Sequence, residues 1–435
     1  ENRNEKTELL TLESSSVPGT GWTLPAMSTF LIETSEEDSI TAVAGQISEL
    51  LNEGQEKTAL AETPGSIFLK QCTTLAAENR NAELLEIFLK HVETVFNLVS
   101  GKDLDCILLV ICNLVPKLPV DQQETAVAKS VSSLIGSSGD KKLACLTALV
   151  ELYNVTFDPT ARFSVLIEII KFARESGLQG EVGPIVKGKA SDWAKEWKLS
   201  TEDTRKLFLE TASLLKALKT KAADQEAFEL RVKCLATYEG APEAEVSSVR
   251  AVAAEAAVQF IQSMDIFKCD LCEMSALKQL ESDPERHGVF QLLTTMVSGD
   301  VKGLQSQASD FAGVLASCGV SMEDAVVKTR LMALLSLGSE QGPASPVAYE
   351  EVRERLQVAD EEVEQWVVMA IGRKLVDAKI NQPERRVQIT RCLQRSFGPA
   401  QWVQLKSQLE AWRANLAGVS EVVSASQAQA LGMQA

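Results

Sequence analysis

The sequence predicts a mainly α fold: a right-handed α-solenoid of helical repeats, then a winged helix, then a C-terminal helix of the kind that joins a bundle. Three observations carry this expectation. Between residues 80 and 265, helix-sized apolar patterns follow one another with starts roughly 20 residues apart, giving a helix-pair unit of roughly 40, within the range of helical solenoids. After Gly372 the period drops to two: Val376, Ala378 and Ile380 alternate with Asp377 and Lys379, Gln382-Pro383-Glu384-Arg385 turns the chain, and Val387 and Ile389 alternate with Arg386, Gln388 and Thr390. Past Gly398-Pro399, the residues Trp402, Leu405, Leu409, Trp412, Leu416 and Val419 keep a three-four spacing, which is a heptad seam.

Composition sets the bounds. A chain of 435 residues with 45% hydrophobic content is long enough for two or three domains with real cores. A net charge of -17 and a pI near 4.8 exclude a protein that wraps nucleic acid over its whole surface, since such binding rests on Lys and Arg neutralising phosphates. Nine Cys without regular spacing read as reduced thiols packed as small residues, which suits the cytosol or nucleus, and a cytoplasmic location is expected. No apolar run reaches the roughly 18 residues of a spanning helix, and no secretory signal is visible.

Taken in order, residues 1–27 are polar and broken by Pro18, Gly19, Gly21 and Pro25, and read as a disordered leader, with Met27 a plausible natural start. Residues 28–200 form the N-terminal helical repeats. Phe30-Leu31-Ile32 precedes an acidic helix start at Ser35 to Asp38, and the first helix runs to about Leu51. The next apolar faces are Leu85, Phe88, Val92 and Phe96; Leu104, Ile107, Ile111 and Leu114, stopped by Pro116; Val127, Val131 and Leu134; Leu143, Leu146 and Val150; and Phe163, Leu166, Ile167 and Ile170 after Asp158-Pro159. Residues 201–396 form the next domain, helical over 201–340 and a winged helix over 341–396. Its helical part carries Leu207, Thr211, Leu214 and Leu218, then Phe228, Val232 and Leu235, then the Ala-rich face of Val249, Val252, Ala256 and Phe260. Ser321 to Asp324 has the form of a capping box. Residues 397–419 are the bundle helix, and 420–435, rich in Ser, Ala, Gln and Gly, a flexible tail.

The winged helix organises the chain. Ser345-Pro346 reads as a cap and first helical position, opening a helix with Tyr349, Val352 and Leu356 on one face. A second helix starts at Asp360-Glu361-Glu362 and carries Val363, Val367 and Ile371. In a DNA-reading winged helix this second helix enters a groove. Here it would bring Asp360, Glu361, Glu362 and Glu364 toward phosphates, and that repulsion argues against duplex recognition. The hairpin, by contrast, is locally basic, and Lys379, Arg385 and Arg386 are the candidate basic contacts. The alternative to a groove reader is a protein-pairing edge formed by Val376, Ala378, Ile380, Val387 and Ile389.

Catalytic motifs are missing from the sequence. Cys269-Asp-Leu-Cys272 is one C-x-x-C, with His287 and Cys318 as its unevenly spaced candidates for completing a zinc site; two cysteines packed as small apolar residues are the simpler account. The chain has two His, His91 and His287, neither in a nucleophile motif. Gly180, Gly183 and Gly188 cluster around Pro184 and Lys187, but no strand precedes them and the spacing fits no phosphate loop. Nothing assembles base, nucleophile and orienter, so no enzyme and no cofactor or metal is expected.

Helix pairs running into an acidic-helix winged helix and a heptad-bearing terminal helix resemble the PCI domain family, shared by subunits of the proteasome lid, the COP9 signalosome and eukaryotic translation initiation factor 3. Phe30 to Asp38, Lys374 to Gln382, Phe397 to Trp402 and Leu409 to Leu416 look like the initiation-factor branch, and Phe267 to Glu281 and Lys328 to Leu331 also fit it. The resemblance spans roughly residues 28 to 419. It implies a non-catalytic scaffold in a hetero-oligomer with other PCI and MPN subunits of that factor, which binds the 40S ribosomal subunit and supports preinitiation complex formation and mRNA recruitment. It also implies that winged helices associate side by side, here through Val376 to Ile380 and Val387 to Ile389, and that terminal helices bundle, here through Trp402 to Val419. Direct RNA contact is left open. A signalosome or proteasome-lid subunit, or a nucleic-acid-binding winged-helix protein, are the alternatives.

Overall fold

The computed structural model describes residues 39–52, 63–268, 271–341, 346–393 and 399–432. The expectations for the leader, for Phe30 to Asp38, for Cys269 and for residues 433–435 lie outside these. The chain divides into two compact units, one ending at Leu230 and one starting at Arg231.

In the first unit, α1 (Ser39–Asn52) packs on α2 (Pro64–Ala77). α3 (Asn81–Leu98), α4 (Lys102–Cys112), α5 (Val120–Ser137), α6 (Lys142–Val155) and α7 (Pro159–Glu175) then alternate between two layers, with α3, α5 and α7 side by side in one and α4 against α6 in the other. This is how helix pairs stack in a solenoid: each pair hides its apolar face only against its neighbours. The starts follow the expected chemistry. Thr63 and Asp158 accept hydrogen bonds from the backbone N–H of Ser66 (3.3 Å) and Ala161 (2.8 Å), and Pro64 and Pro159 occupy the first helical turn. Leu143 differs from expectation. α6 packs against α4, α5 and α7 and buries Leu146, Leu149, Val150 and Tyr153 among others, while Leu143, in its first turn, lies exposed. α8 (Gln179–Val186), α9 (Ala190–Glu196) and α10 (Thr201–Ala217) follow, α10 packing on α7, and then α11 (Lys221–Ala236).

In the second unit, α12 (Glu243–Ser248), α13 (Arg250–Gln262) and α14 (Ser275–Lys278) pack together, α13 also meeting α15 (His287–Ser298), and α15, α16 (Val301–Ser306) and α17 (Ala308–Cys318) pack against α18 (Met322–Gln341). Ala253, Ala256 and Ala257 are fully buried, and these small side chains let α13 approach its neighbours closely. α18 is capped by Ser321, whose Oγ accepts from Asp324 N–H at 3.0 Å and donates to the Asp324 carboxylate at 2.6 Å, in place of the reciprocal backbone bond of a capping box. It touches α15, α16 and α17, and also the winged helix, so it belongs to both halves of this unit. At Gly299, with φ 75°, a Cβ would lie 2.7 Å from the Ala333 Cα of α18, so only glycine allows the approach.

The winged helix consists of β1 (Pro346–Ala348), α19 (Tyr349–Leu356), a short 3-10 turn at Asp360–Glu362, α20 (Val363–Gly372), β2 (Val376–Asn381) and β3 (Arg386–Cys392). The three strands are antiparallel in the order β1-β3-β2. Two expectations change. Pro346 opens a strand rather than a helix: Pro346, Val347 and Ala348 pair with Gln388, Val387 and Arg386, and the helix begins at Tyr349. A proline is tolerated there because β1 is an outer strand and Pro346 its first residue. β3 is therefore central rather than an edge.

α21 (Pro399–Gly432) is a single helix of 34 residues. It runs past Val419, where the composition suggests fraying. Residues 420–432 hold no proline and are rich in Ala, Gln, Val and Ser, so nothing in them breaks the hydrogen-bond ladder.

Candidate protein interface

The hairpin presents two different faces. Toward the core, Val376, Val387 and Ile389 are buried beneath α18, α19 and α20, while Ala378 and Ile380 are half-buried. The buried side chains thus hold the fold together, and what the hairpin offers sideways is the backbone of β2, which pairs with β3 on one side and with no other strand among the described residues. A bulge at Asp377 and Ala378 leaves Thr390 unpaired in the ladder, and its hydroxyl donates to the Asp377 carbonyl at 2.9 Å.

The acidic start of α20 is tied to the basic turn. Arg385 pairs with Asp360 and stacks its guanidinium 5.7 Å from the Tyr349 ring centre. Hydrogen bonding to Asp360 pushes the Arg385 pKa further up, so it is charged throughout. Glu364 accepts from Tyr349 Oη at 2.9 Å and from Gln382 Nε2 at 2.6 Å. Burial, with the Glu364 bond behind it, pushes the Tyr349 hydroxyl up to about 12. Of the three basic residues singled out from the sequence, Arg385 is engaged within the fold, whereas Lys379 and Arg386 stand exposed on the outer face of the hairpin.

Two clamps fix the winged helix on the rest of its unit. Arg330 of α18 donates to the carbonyls of Leu356 (3.0 Å) and Gln357 (2.9 Å) at the end of α19 and lies 5.0 Å over the Trp366 ring. Arg373, just after α20, donates to the Met264 carbonyl at 3.0 Å. Beside β2, α20 turns Val368 (58% exposed) and Met369 (39%) outward. These were not singled out from the sequence. The available signal was that they fall off the Val363, Val367, Ile371 stripe that buries the helix.

α21 carries the heptad seam in full view. Leu409, Trp412, Leu416 and Val419 are 51–70% exposed, Trp402 is also exposed, and Leu405 is half-buried. The three-four spacing aligns them along one side of the helix over roughly 25 Å at about 1.5 Å per residue.

No helix among the described residues is long and apolar enough to cross a membrane, and no group of three or more His, Cys, Asp or Glu among them could hold a metal ion. Cys272 is half-buried, and His287 Nδ1 lies 2.7 Å from the Glu281 carbonyl oxygen.

Helical repeats that end in a winged helix define a class of scaffold domain, and residues 314–391, which include this chain's winged helix, match the model of the PCI domain. Residues 395–423 match the family described as eIF3 subunit M, C-terminal helix. The chain is similar to eukaryotic translation initiation factor 3 subunit M of Dictyostelium discoideum, 26% identical with 80% of this chain and 86% of the relative covered. It is similar in the same way to the Nematostella vectensis protein, at 27% with 81% and 89% covered, and to the Homo sapiens protein, at 26% with 73% and 82%.

Proposed function

We propose that the chain is a non-catalytic scaffold subunit of eukaryotic translation initiation factor 3, joined to the factor's other PCI and MPN subunits. Within that hetero-oligomer it supports 40S subunit binding, preinitiation complex formation and mRNA recruitment in the cytoplasm. The observation that carries this reading is the seam of α21. Leu409, Trp412, Leu416 and Val419 would cost free energy left in water, at about 25 cal/mol per Å² of apolar surface, so a helix built this way suits burial against partner helices. The open edge of β2, in a winged helix that also exposes Val368 and Met369 on α20 and Lys379 and Arg386 on the outer face of the hairpin, is the second attachment point. There the lateral neighbour is another subunit's winged helix.

Leu409→Asp tests the seam: it buries a charge in any bundle yet leaves an exposed helix intact. Assembly with initiation-factor subunits is expected to be lost while far-UV circular dichroism of the isolated chain is unchanged. Undiminished assembly would remove the seam as a subunit contact.

A further inference from the structure

The turns at one end of α8, α10 and α11 gather lysines in a chain that is otherwise acidic. Residues 187–221 hold nine basic side chains against five acidic ones, within a protein of net charge -17. Lys187 and Lys189 flank Gly188 between α8 and α9, while Lys216, Lys219 and Lys221 close α10 and open α11; all five are exposed. The Gly188 N–H donates to the Glu226 carboxylate of α11, and a Cβ at Gly183 of α8 would sit 2.5 Å from Leu218 Cδ1, so the two turns lie together. Their backbones are fixed rather than loose. Lys187 N–H donates to the Gly183 carbonyl at 3.0 Å and Lys219 N–H to the Lys216 carbonyl at 3.3 Å, with Gly188 and Lys219 left-handed at φ 78° and 54°. The glycines around Lys187 thus do not make a phosphate loop; they make a tight turn that presents lysines.

The chemistry of this patch selects its partner. Protein-docking faces are centred on apolar or aromatic anchors. Among the described residues, no large hydrophobic side chain within 187–221 is exposed. The five acidic side chains of the stretch are outnumbered, and several carboxylates are engaged: Glu210 by Arg174, Asp203 by the Ser200 hydroxyl, and Glu226 of α11 by the Gly188 amide. Acidic residues elsewhere are screened beyond about 8 Å at physiological salt. Lysine ammonium groups are point charges without the planar fork that reads a base edge, so they suit phosphate oxygens. We propose that this end of the first unit binds the phosphodiester backbone of a nucleic acid strand, without reading its sequence. This surface is distinct from the winged helix and needs no partner subunit.

The test uses the full chain alone. Labelled single-stranded RNA and DNA of one sequence are titrated by fluorescence anisotropy between about 50 and 200 mM salt. Binding that weakens with salt is expected, RNA against DNA showing whether the 2′-hydroxyl adds to the phosphates. Replacing Lys187, Lys189, Lys216 and Lys219 together by Glu is expected to weaken it at least about tenfold and to flatten the log–log salt slope by roughly 3, at about 0.7 per lost contact. The charge-matched control, in which the exposed Lys117, Lys142, Lys278 and Lys302 are together replaced by Glu, leaves binding as it was. The proposal is overturned by no binding at the lower salt, by equal loss in both variants, or by polyglutamate competing as well as RNA at equal charge.

Discussion

Lys328 is fully buried, with its ammonium on the carbonyls of Phe260 and Ser263 (2.6 Å to the latter) and 3.8 Å from the centre of the Phe260 ring. It closes the C-terminal end of α13 from inside, where charge and carbonyl dipoles attract. Lys141 does the same in the first unit, reaching the Phe96 and Val99 carbonyls at 2.5 Å behind α3. Lys328→Met keeps the volume but strips the carbonyls of their donor, and is expected to cost about 2–4 kcal/mol, read as a lower urea midpoint at unchanged slope. Apolar periodicity could not find Lys328: it sits on the same helix as Leu331 and Leu335, where a pattern search expects only apolar residues. Glu151 shows the opposite sign. Burial beside α4 raises its pKa. The folded chain therefore binds the proton more tightly than the unfolded one, and stability falls as pH rises from the unfolded carboxylate value. Glu151→Gln is expected to raise Tm at pH 7, an advantage that shrinks as pH falls toward about 4.3.

At the scale of elements, what the sequence shows best is long and periodic. The helices around Phe88, Val127 and Leu166 bury the residues their spacing selects, and the alternation of Val376 and Val387 gives a one-sided hairpin. β1 escapes because three residues cannot display a period, and a serine and proline before Tyr349 carry a helix-start signal as easily as a strand. Its presence moves β3 to the middle and leaves β2 as the open edge of the hairpin. The three-four spacing along α21 is legible in the sequence, since heptad spacing needs no tertiary context, whereas Val368 and Met369 emerge only once α20 is packed and its outer face known. Trp412→Ala is expected to weaken association of the assembled helix by about 2 kcal/mol or more, measured by calorimetry with a partner bundle. Glu in place of both Val368 and Met369 is expected to impair lateral association with Tm nearly unchanged, because both side chains already face solvent.

For the whole molecule, a buried α18 and the Arg330 and Arg373 clamps set the winged helix firmly on its unit, so the β2 edge is presented in a fixed direction. The proposed role of this edge and of the exposed heptad helix is to hold other proteins. Affinity purification of the full chain from cells, with associated proteins identified by mass spectrometry, tests that central claim most directly. Recovery of the PCI and MPN subunits of initiation factor 3 is the predicted result; recovery of signalosome or proteasome-lid subunits in their place, or of no PCI subunit, would contradict it.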